Sequence, residues 1–284
     1  MRLDDERRSE NVEDRRGIRV SRTAMGGGIG TLLLVLVAMY FGVDPRLLMT
    51  EAPTDGRRTG ETATQARPAE ENRLADFVSM VLADTEDTWR EQFQRAGKTY
   101  REPKLVLFTG AVESACGYAE SAVGPFYCPE DQKVYIDLGF YREMKDRFKA
   151  PGDFAQAYVI AHEIGHHVQN LLGVSAKVQA ARSRAGEAEG NRLSVRLELQ
   201  ADCLAGVWAH HANKARNILE EGDLEEALGA AAAIGDDRLQ RKTRGVVIPD
   251  SFTHGTSEQR VRWFRRGIET GDLNRCDTFG ASDL

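Results

Sequence analysis

The stretch AYVIAHEIGHHVQN, residues 157–170, decides the fold, because it places a metal-binding pattern on a predicted helix. Within it, His162-Glu163-Ile164-Gly165-His166 reads H-E-x-x-H. Residues four apart lie on the same face of a helix, so both imidazoles can bind one metal ion. Glu163 follows the first histidine and can reach a water on that ion. The pattern indicates a zinc site with a carboxylate base beside it.

A second predicted helix, from about Leu193 to Ala215, supplies a third ligand. A catalytic zinc site takes three protein ligands plus water. Glu198 and Asp202 lie four residues apart on this otherwise apolar helix, and burying carboxylates is costly unless they are paired or bind a metal. We predict that Glu198 binds zinc and that Asp202 accepts the N–H of a ligand histidine. The alternative is that both carboxylates pair with Arg192 or Arg196.

The segments around these helices predict an α+β fold. Short apolar runs at Lys104–Gly110, Gly124–Cys128 and Lys133–Leu138 are typical of strands, with a turn between the last two. Apolar residues at helical spacing predict a helix from about Asn72 to Gly97. Further helices are predicted at about 154–172 and 224–234, and a last one begins after Thr256-Ser257 and runs to about Thr270. Strands therefore precede most of the helices, as in α+β proteins.

One run departs from the pattern of a soluble protein. Met25–Val43 reads MGGGIGTLLLVLVAMYFGV and carries no charge. As a helix it would span about 28 Å, close to the hydrocarbon core of a bilayer. Arginines at 15, 16, 19 and 22 precede it, whereas only Arg46 follows closely, so the positive-inside rule predicts a cytoplasmic N-terminus. A cleaved signal peptide and a buried core helix are the alternatives, but no small-residue cleavage site follows the run.

This run divides the chain into four predicted parts. Residues 1–22 form a charged, disordered cytoplasmic tail, and residues 23–44 a single transmembrane helix. Residues 45–70 form a flexible linker, because the stretch 51–70 is polar and poor in large apolar groups. Residues 71–284 form the catalytic domain. We expect this domain to lie in the periplasm, outside the inner or cell membrane.

Cysteine usage agrees with export. The chain has four cysteines, at positions 116, 128, 203 and 276, which allow three connectivities. Proximity in the sequence favours Cys116–Cys128, which leaves Cys203–Cys276. Such disulfides persist outside the cytoplasm. The alternative is four buried free thiols.

The composition excludes one class of partner. The 284 residues are 29% charged and 41% hydrophobic, which is ordinary for a globular protein. The net charge is −6, with no large basic field. Nucleic acid is therefore not an expected partner.

In combination these motifs resemble a known family. HEIGHH followed by ELQADCLAG is similar to the gluzincin zinc peptidases, in which a downstream E-x-x-x-D helix supplies the third ligand. With residues 1–22, the GGG-led apolar run, SAVGPFYCPEDQKVYIDLGF and HGTSEQRVRWF, the chain resembles the bacterial "putative neutral zinc metallopeptidase" family. The resemblance implies a zincin-like domain, mostly helical with a small antiparallel or mixed sheet, behind one membrane helix. It also implies one Zn²⁺ per chain.

The resemblance also implies roles for individual residues. His162, His166 and Glu198 match the zinc ligands, Glu163 the general base and Asp202 the carboxylate behind the ligands. His254, in the segment Thr253–Thr256, falls where related enzymes carry a histidine that touches substrate or the developing oxyanion. The alternative for His254 is a helix-capping or packing role.

The remaining histidines, at 167, 210 and 211, match no pattern and are expected at the surface or in packing.

Together these observations predict a membrane-anchored zinc metalloendopeptidase with a peptide or protein substrate. The strand at Lys133–Leu138 is expected to form the sheet edge along which an extended peptide pairs. The rival hypothesis is a catalytically silent scaffold or binding protein with a structural zinc ion. Glu163 argues against it, because a purely structural site has no use for a base.

Overall fold

The computed structural model describes residues 1–3, 6–18 and 68–284. The helices in these ranges are α1 (Ala69–Arg95), α2 (Gly139–Asp146), α3 (Asp153–Leu171), α4 (Val174–Arg182), α5 (Glu187–Arg216), α6 (Asp223–Ala233), α7 (Asp236–Arg244) and α8 (Ser257–Thr270). The strands are β1 (Val12–Asp14), β2 (Lys104–Phe108), β3 (Ala111–Ser114), β4 (Gly117–Glu120), β5 (Phe126–Cys128) and β6 (Lys133–Asp137). The mixture is mostly helical and confirms the predicted α+β class.

The main sheet is mixed and has the strand order β1-β2-β6-β5. Strands β1, β2 and β6 run parallel, whereas β5 runs antiparallel to β6. Strands β3 and β4 form a separate antiparallel pair. The prediction that Lys133–Leu138 forms the sheet edge is wrong, because β6 pairs with β2 on one side and with β5 on the other. Among the described strands, β5 is the edge beside β6.

The described part of the N-terminal segment is folded, which corrects the prediction of a disordered tail. Residues 1–18 and 69–284 form one compact unit, and Leu3 and Arg16 are buried in it. The arginines of this segment find partners on α1: Arg7 pairs with Glu86 at 2.7 Å and Arg8 with Asp76 at 2.5 Å. A charged segment of this kind becomes ordered when a surface of complementary charge is available to it.

The predicted membrane helix, Met25–Val43, lies outside the described residues, as do residues 45–67 of the predicted linker. Both therefore stay predictions. In the parts of the chain that the structure does describe, no helix combines the length and the apolar character that crossing a bilayer requires.

Two disulfides cross-link the domain. Cys116 is bonded to Cys128 of the edge strand β5, twelve residues later, and Cys203 of α5 is bonded to Cys276 near the C-terminus. This confirms the pairing that sequence proximity favoured. None of the four thiols is free.

Helices α5 and α8 cross at glycines, which lets their backbones approach closely. A Cβ atom on Gly267 of α8 would lie 2.0 Å from the carbonyl oxygen of Cys203. A Cβ atom on Gly206 of α5 would lie 2.2 Å from the carbonyl oxygen of Phe264. Backbone atoms cannot move aside as flexible side chains can, so both positions require glycine.

We expect Gly267→Ala to lower the free energy of unfolding by about 2 to 3 kcal/mol, since the added methyl group forces the two helices apart. Denaturant titration of the full chain measures the change. Gly229→Ala, in α6, is the matched control, because a Cβ atom there meets nothing within 4 Å. That control should be neutral or stabilising by up to about 1 kcal/mol. An equal loss of unfolding free energy in both variants would contradict the close crossing of α5 and α8.

Candidate metal centre

Helices α3 and α5 bring three candidate ligands to one point. The side chains of His162 and His166 project from α3 toward Glu198 of α5. Nε2 of His162 lies 3.2 Å from Oε2 of Glu198, and Nε2 of His166 lies 3.4 Å from Oε1. The three residues form a group whose ligand atoms all lie within 4.8 Å of one another. The structure thus brings together the three ligands predicted from the sequence.

The donor set and its spacing fit a tetrahedral zinc ion. Zinc takes imidazole nitrogen and carboxylate oxygen at roughly 2.0 to 2.2 Å, which corresponds to about 3.3 Å between neighbouring donors of a tetrahedron. The two nitrogen-to-oxygen distances, 3.2 and 3.4 Å, bracket this value. His162, His166 and Glu198 are therefore the residues that would hold the ion.

Asp202 lies behind His162, one helical turn after Glu198. It is completely buried, and its Oδ1 lies 2.9 Å from Nδ1 of His162. Arg260 of α8 donates two hydrogen bonds to Asp202, from Nε to Oδ2 at 2.8 Å and from Nη2 to Oδ1 at 2.9 Å. The hydroxyl of Tyr158 also donates to Oδ1, at 2.5 Å. These contacts leave the Nε2 of His162 to face the ligand group, as a metal-binding tautomer requires.

Gln169 performs the corresponding task behind His166. Nδ1 of His166 donates to Oε1 of Gln169 at 2.9 Å. The amide nitrogen of Gln169 donates to the carbonyl oxygen of Leu197 at 2.7 Å and to Oε1 of Gln200 at 3.1 Å. Both imidazoles are thus oriented by partners that are themselves fixed on α5.

The charged groups around the three candidate ligands stabilise positive charge at the point where those ligands meet. Burial alone would lower the pKa of His162, but the carboxylates of Asp202 and Glu198 raise it to about 10. Burial would raise the pKa of Asp202, but Arg260 and His162 lower it to about 2. Burial would likewise raise the pKa of Glu198, yet His166 and His162 hold it well below its usual value. Carboxylates that hold protons on buried imidazoles can equally hold a cation between them.

The three donors line a cleft of about 560 Å³. Glu163 is largely buried and lines the same cleft, one residue after the first ligand. Phe126 and Tyr127 of the edge strand β5 also line it. Residues of α3 and of β5, the edge strand among the described residues, therefore line the same cleft.

His254 lies on the same cleft and is half exposed, with 51% of its side chain accessible. Its Nδ1 lies 3.3 Å from Oδ1 of Asp236, which raises the pKa of His254. Oδ2 of Asp236 accepts the backbone N–H of Thr253, His254 and Gly255 at 2.6 to 3.0 Å. Helix α8 is capped instead by Thr256, whose side chain accepts from the backbone of Gln259. The capping alternative for His254 does not hold.

The other three histidines are packing residues. His167 is fully buried, with Nε2 2.6 Å from the carbonyl oxygen of Arg101. Nδ1 of His210 lies 2.8 Å from the carbonyl oxygen of Ile268, and Nε2 of His211 lies 2.8 Å from that of Gly271. None of the three lines the cleft.

Sequence reasoning missed Arg260, Gln169 and Asp236. Arg260 lies within HGTSEQRVRWF, but nothing in the sequence links it to Asp202. Gln169 follows His166 by three residues on α3, and this i, i+3 spacing was the one signal that could have pointed to it. The alternative pairing of Glu198 and Asp202 with Arg192 or Arg196 does not occur: Arg192 pairs with Glu189, and Arg196 donates to backbone carbonyls near the C-terminus.

A second group of carboxylates, Asp153, Asp223 and Glu226, also lies close together. The ammonium group of Met1 lies among them, 2.8 Å from Asp153 and 3.3 Å from Asp223. The ammonium group offsets part of the negative charge of this cluster.

The fold and the donor set define an α+β protein with a two-histidine, one-carboxylate candidate zinc centre. Residues 1–279 match the family described as "Putative neutral zinc metallopeptidase", and the chain belongs to that family. The Escherichia coli K12 protein named "Uncharacterized protein YpfJ" is 53% identical over 291 aligned positions, covering 99% of this chain and 100% of the relative. "Uncharacterized protein Rv2575" of Mycobacterium tuberculosis H37Rv is 44% identical, and the match covers 87% of this chain and 86% of the relative. No solved structure gives a significant match.

We expect Asp202→Asn to weaken zinc binding about 10- to 100-fold, because the neutral amide no longer holds His162 in the ligand tautomer. Competition with a chromophoric chelator measures the affinity. Asp84→Asn is the matched control: Asp84 is also buried and accepts from Trp208 at 2.6 Å and from Arg216 at 2.5 Å, but outside the cleft. We expect Asp84→Asn to lower the free energy of unfolding but to leave the zinc affinity unchanged. Equal zinc affinity in both variants would contradict the role of Asp202.

Proposed function

We propose that the chain is a zinc-dependent metalloendopeptidase with a gluzincin-like, zincin-type site and one zinc ion per chain. The observation that carries the proposal is the convergence of His162, His166 and Glu198 with Glu163 beside them on an open cleft. Three protein donors leave a coordination position for water or substrate, as catalytic zinc sites do.

The ligands and Glu163 divide the chemistry between them. Zinc in such a site supplies Lewis acidity, which lowers the pKa of water and polarises a scissile carbonyl. The carboxylate of Glu163 accepts the proton of the attacking water and passes it to the nitrogen of the leaving amine. Asp202 and Gln169 hold the two imidazoles in place during this transfer.

His254 is assigned to the developing oxyanion. The carboxylate of Asp236 accepts from Nδ1 and raises the pKa of His254, so in the doubly protonated imidazolium form Nε2–H would donate a hydrogen bond in the cleft. The three backbone N–H groups on Asp236 fix the loop that carries His254. His254 also interacts electrostatically with Glu198, which agrees with a position close to the ligands.

An extended peptide is the substrate that the cleft fits best. Strand β5 is an edge of the described sheet and lines the cleft, so a peptide can pair with it by β-addition. Strand β5 therefore has the peptide-pairing role that was expected for the strand at Lys133–Leu138. The cleft also has an apolar part of its lining, formed by Phe140, Phe148, Val159, Ile234 and Leu239. That apolar lining favours a peptide with a bulky apolar side chain near the scissile bond.

The location of the domain is part of the proposal. Disulfides between Cys116 and Cys128 and between Cys203 and Cys276 support a domain outside the cytoplasm, because such bonds persist in oxidising compartments. In a bacterial cell that compartment is the periplasm.

We expect Glu163→Gln to keep its zinc ion and to lose at least about 100-fold in kcat/KM, because the amide cannot accept the proton of the attacking water. Hydrolysis of casein and of a fluorogenic peptide library, together with zinc analysis, measures both effects. Glu189→Gln is the matched control, since Glu189 is exposed and pairs with Arg192 on the same helix as Glu198. It should keep full activity.

The same assay separates the enzyme from a silent scaffold. Undiminished hydrolysis by zinc-loaded Glu163→Gln would reject the assigned base. A zinc-loaded wild-type chain that cleaves nothing in an unbiased library would favour a binding protein with structural zinc.

A further inference from the structure

The imidazole of His167, next to the ligand His166, joins the zinc helix to the edge strand. Its Nε2 lies 2.6 Å from the carbonyl oxygen of Arg101. A carbonyl only accepts, so Nε2 carries the hydrogen and Nδ1 is left as an acceptor. The hydroxyl of Tyr127 lies 3.0 Å from Nδ1 and therefore donates to it.

The hydroxyl of Tyr127 is held by α3 at two points. Its oxygen accepts from the amide nitrogen of Asn170 at 3.0 Å while it donates to His167. Asn170 and His167 are three residues apart and lie on one face of α3. The ring of Tyr127 meets the ring of His167 edge-on at 5.5 Å. A single side chain of β5 is thus fixed to the zinc helix by two hydrogen bonds and a ring contact.

The position of β5 depends on this attachment as well as on the sheet. β5 has only three residues, and among the described strands it pairs with β6 alone. The disulfide of Cys128 holds its C-terminal end, whereas Tyr127 lies at its centre and lines the cleft. The contact with His167 and Asn170 therefore ties the centre of the edge strand directly to the helix that carries the candidate zinc ligands.

We propose that Tyr127 and His167 form a positioning pair that aligns the edge strand with the zinc ligands, so that long peptides bind in register for cleavage. This inference rests on the proposed peptidase function. A substrate that pairs with the strand over several residues depends on this alignment, whereas a short substrate held only at the ligands depends on it less.

The test compares a peptide of about eight residues with a blocked dipeptide carrying the same scissile bond. Tyr127→Phe keeps the ring but removes the hydroxyl, and His167→Phe removes the acceptor. In each variant we expect the ratio of KM for the long peptide to KM for the short one to rise about tenfold, the effect of losing one buried hydrogen bond. The kcat for the long peptide should change less than its KM.

The matched control is Tyr100→Phe. The ring of Tyr100 also meets His167 edge-on, at 5.7 Å, but its buried hydroxyl has no hydrogen-bond partner among the described residues. It should leave the KM ratio unchanged. Zinc content and thermal unfolding are measured for every variant, because a loss of fold lowers activity on both peptides and does not change their KM ratio.

The outcomes separate this inference from the proposed function. A wild-type chain that cleaves both peptides, with a KM ratio unchanged in Tyr127→Phe and His167→Phe, would overturn the positioning pair alone. A zinc-loaded wild-type chain that cleaves neither peptide would overturn the peptidase function and the positioning pair with it.

A separate observation concerns the N-terminal segment, which is built into the domain. Strand β1 pairs with β2 in the parallel register Val12↔Leu105. The N–H of Leu105 donates to the carbonyl oxygen of Asn11 at 2.9 Å, and the N–H of Arg15 donates to that of Leu107 at 2.8 Å. These backbone hydrogen bonds join residues 11–15 to β2, in the main sheet of the unit that carries the candidate zinc ligands (here called the zinc domain).

Buried polar contacts support the same packing. Glu86 of α1 is 1% exposed, and its carboxylate accepts from Arg7 at 2.7 Å, Ser9 at 2.5 Å and Asn11 at 2.9 Å. All three donors belong to the N-terminal segment. Without it the buried carboxylate would lose these partners and keep an uncompensated charge. The domain therefore needs this segment as part of its fold.

We infer that residues 1–18 and the zinc domain lie on the same side of any membrane with which the chain associates. Backbone pairing and buried ion pairs cannot form across a bilayer. A single crossing between residues 18 and 68 would separate β1 from β2, so the inference replaces the topology expected from the arginine distribution.

Labelling of the full chain in intact cells tests this inference. Glu10→Cys and Lys98→Cys place new thiols at exposed positions of the N-terminal segment and of the domain. Both should react with a membrane-impermeant maleimide to the same extent, or both should be protected until the membrane is permeabilised. The parent chain, whose four cysteines form two disulfides, gives the background. Labelling of one position with protection of the other would overturn the inference.

Discussion

The buried carboxylate of Asp202 is the interaction on which the rest of the site depends. An isolated buried charge costs several kcal/mol, so this residue is tolerated only because Arg260, Tyr158 and His162 all donate to it or face it. Those partners come from α3 and α8, whereas Asp202 belongs to α5. Satisfying one carboxylate therefore fixes three helices relative to one another, and the same contact orients His162, a candidate zinc ligand.

Close backbone packing makes that arrangement possible. A Cβ atom on Gly165 would lie 2.9 Å from the carbonyl oxygen of Ala201, so the glycine inside H-E-x-x-H lets α3 approach α5. Gly206 and Gly267 let α5 approach α8 in the same way. The distances of 3.2 and 3.4 Å between the histidine nitrogens and Glu198 follow from this spacing of the helices. Larger residues at these positions would separate the donors from one another.

Of the main sheet, strand β5 lines the cleft, through Phe126 and Tyr127. Strand β1 adds to β2, β6 lies in the interior, and β5 is left at the edge facing α3. The expectation for Lys133–Leu138 was wrong because edge or interior position depends on which strands pair. The N-terminal strand pairs with β2 across a separation of about ninety residues, and no local pattern specifies that pairing.

By itself the sequence determined those features that depend only on residues close together in the chain. The i, i+4 spacing of His162 and His166, and of Glu198 and Asp202, specifies which side chains share a helix face, and proximity indicated Cys116–Cys128. Only the tertiary structure decided the partners Arg260, Gln169 and Asp236, the edge position of β5 and the place of residues 1–18. These depend on contacts between elements far apart in the chain, which arise from packing and charge compensation rather than from periodicity.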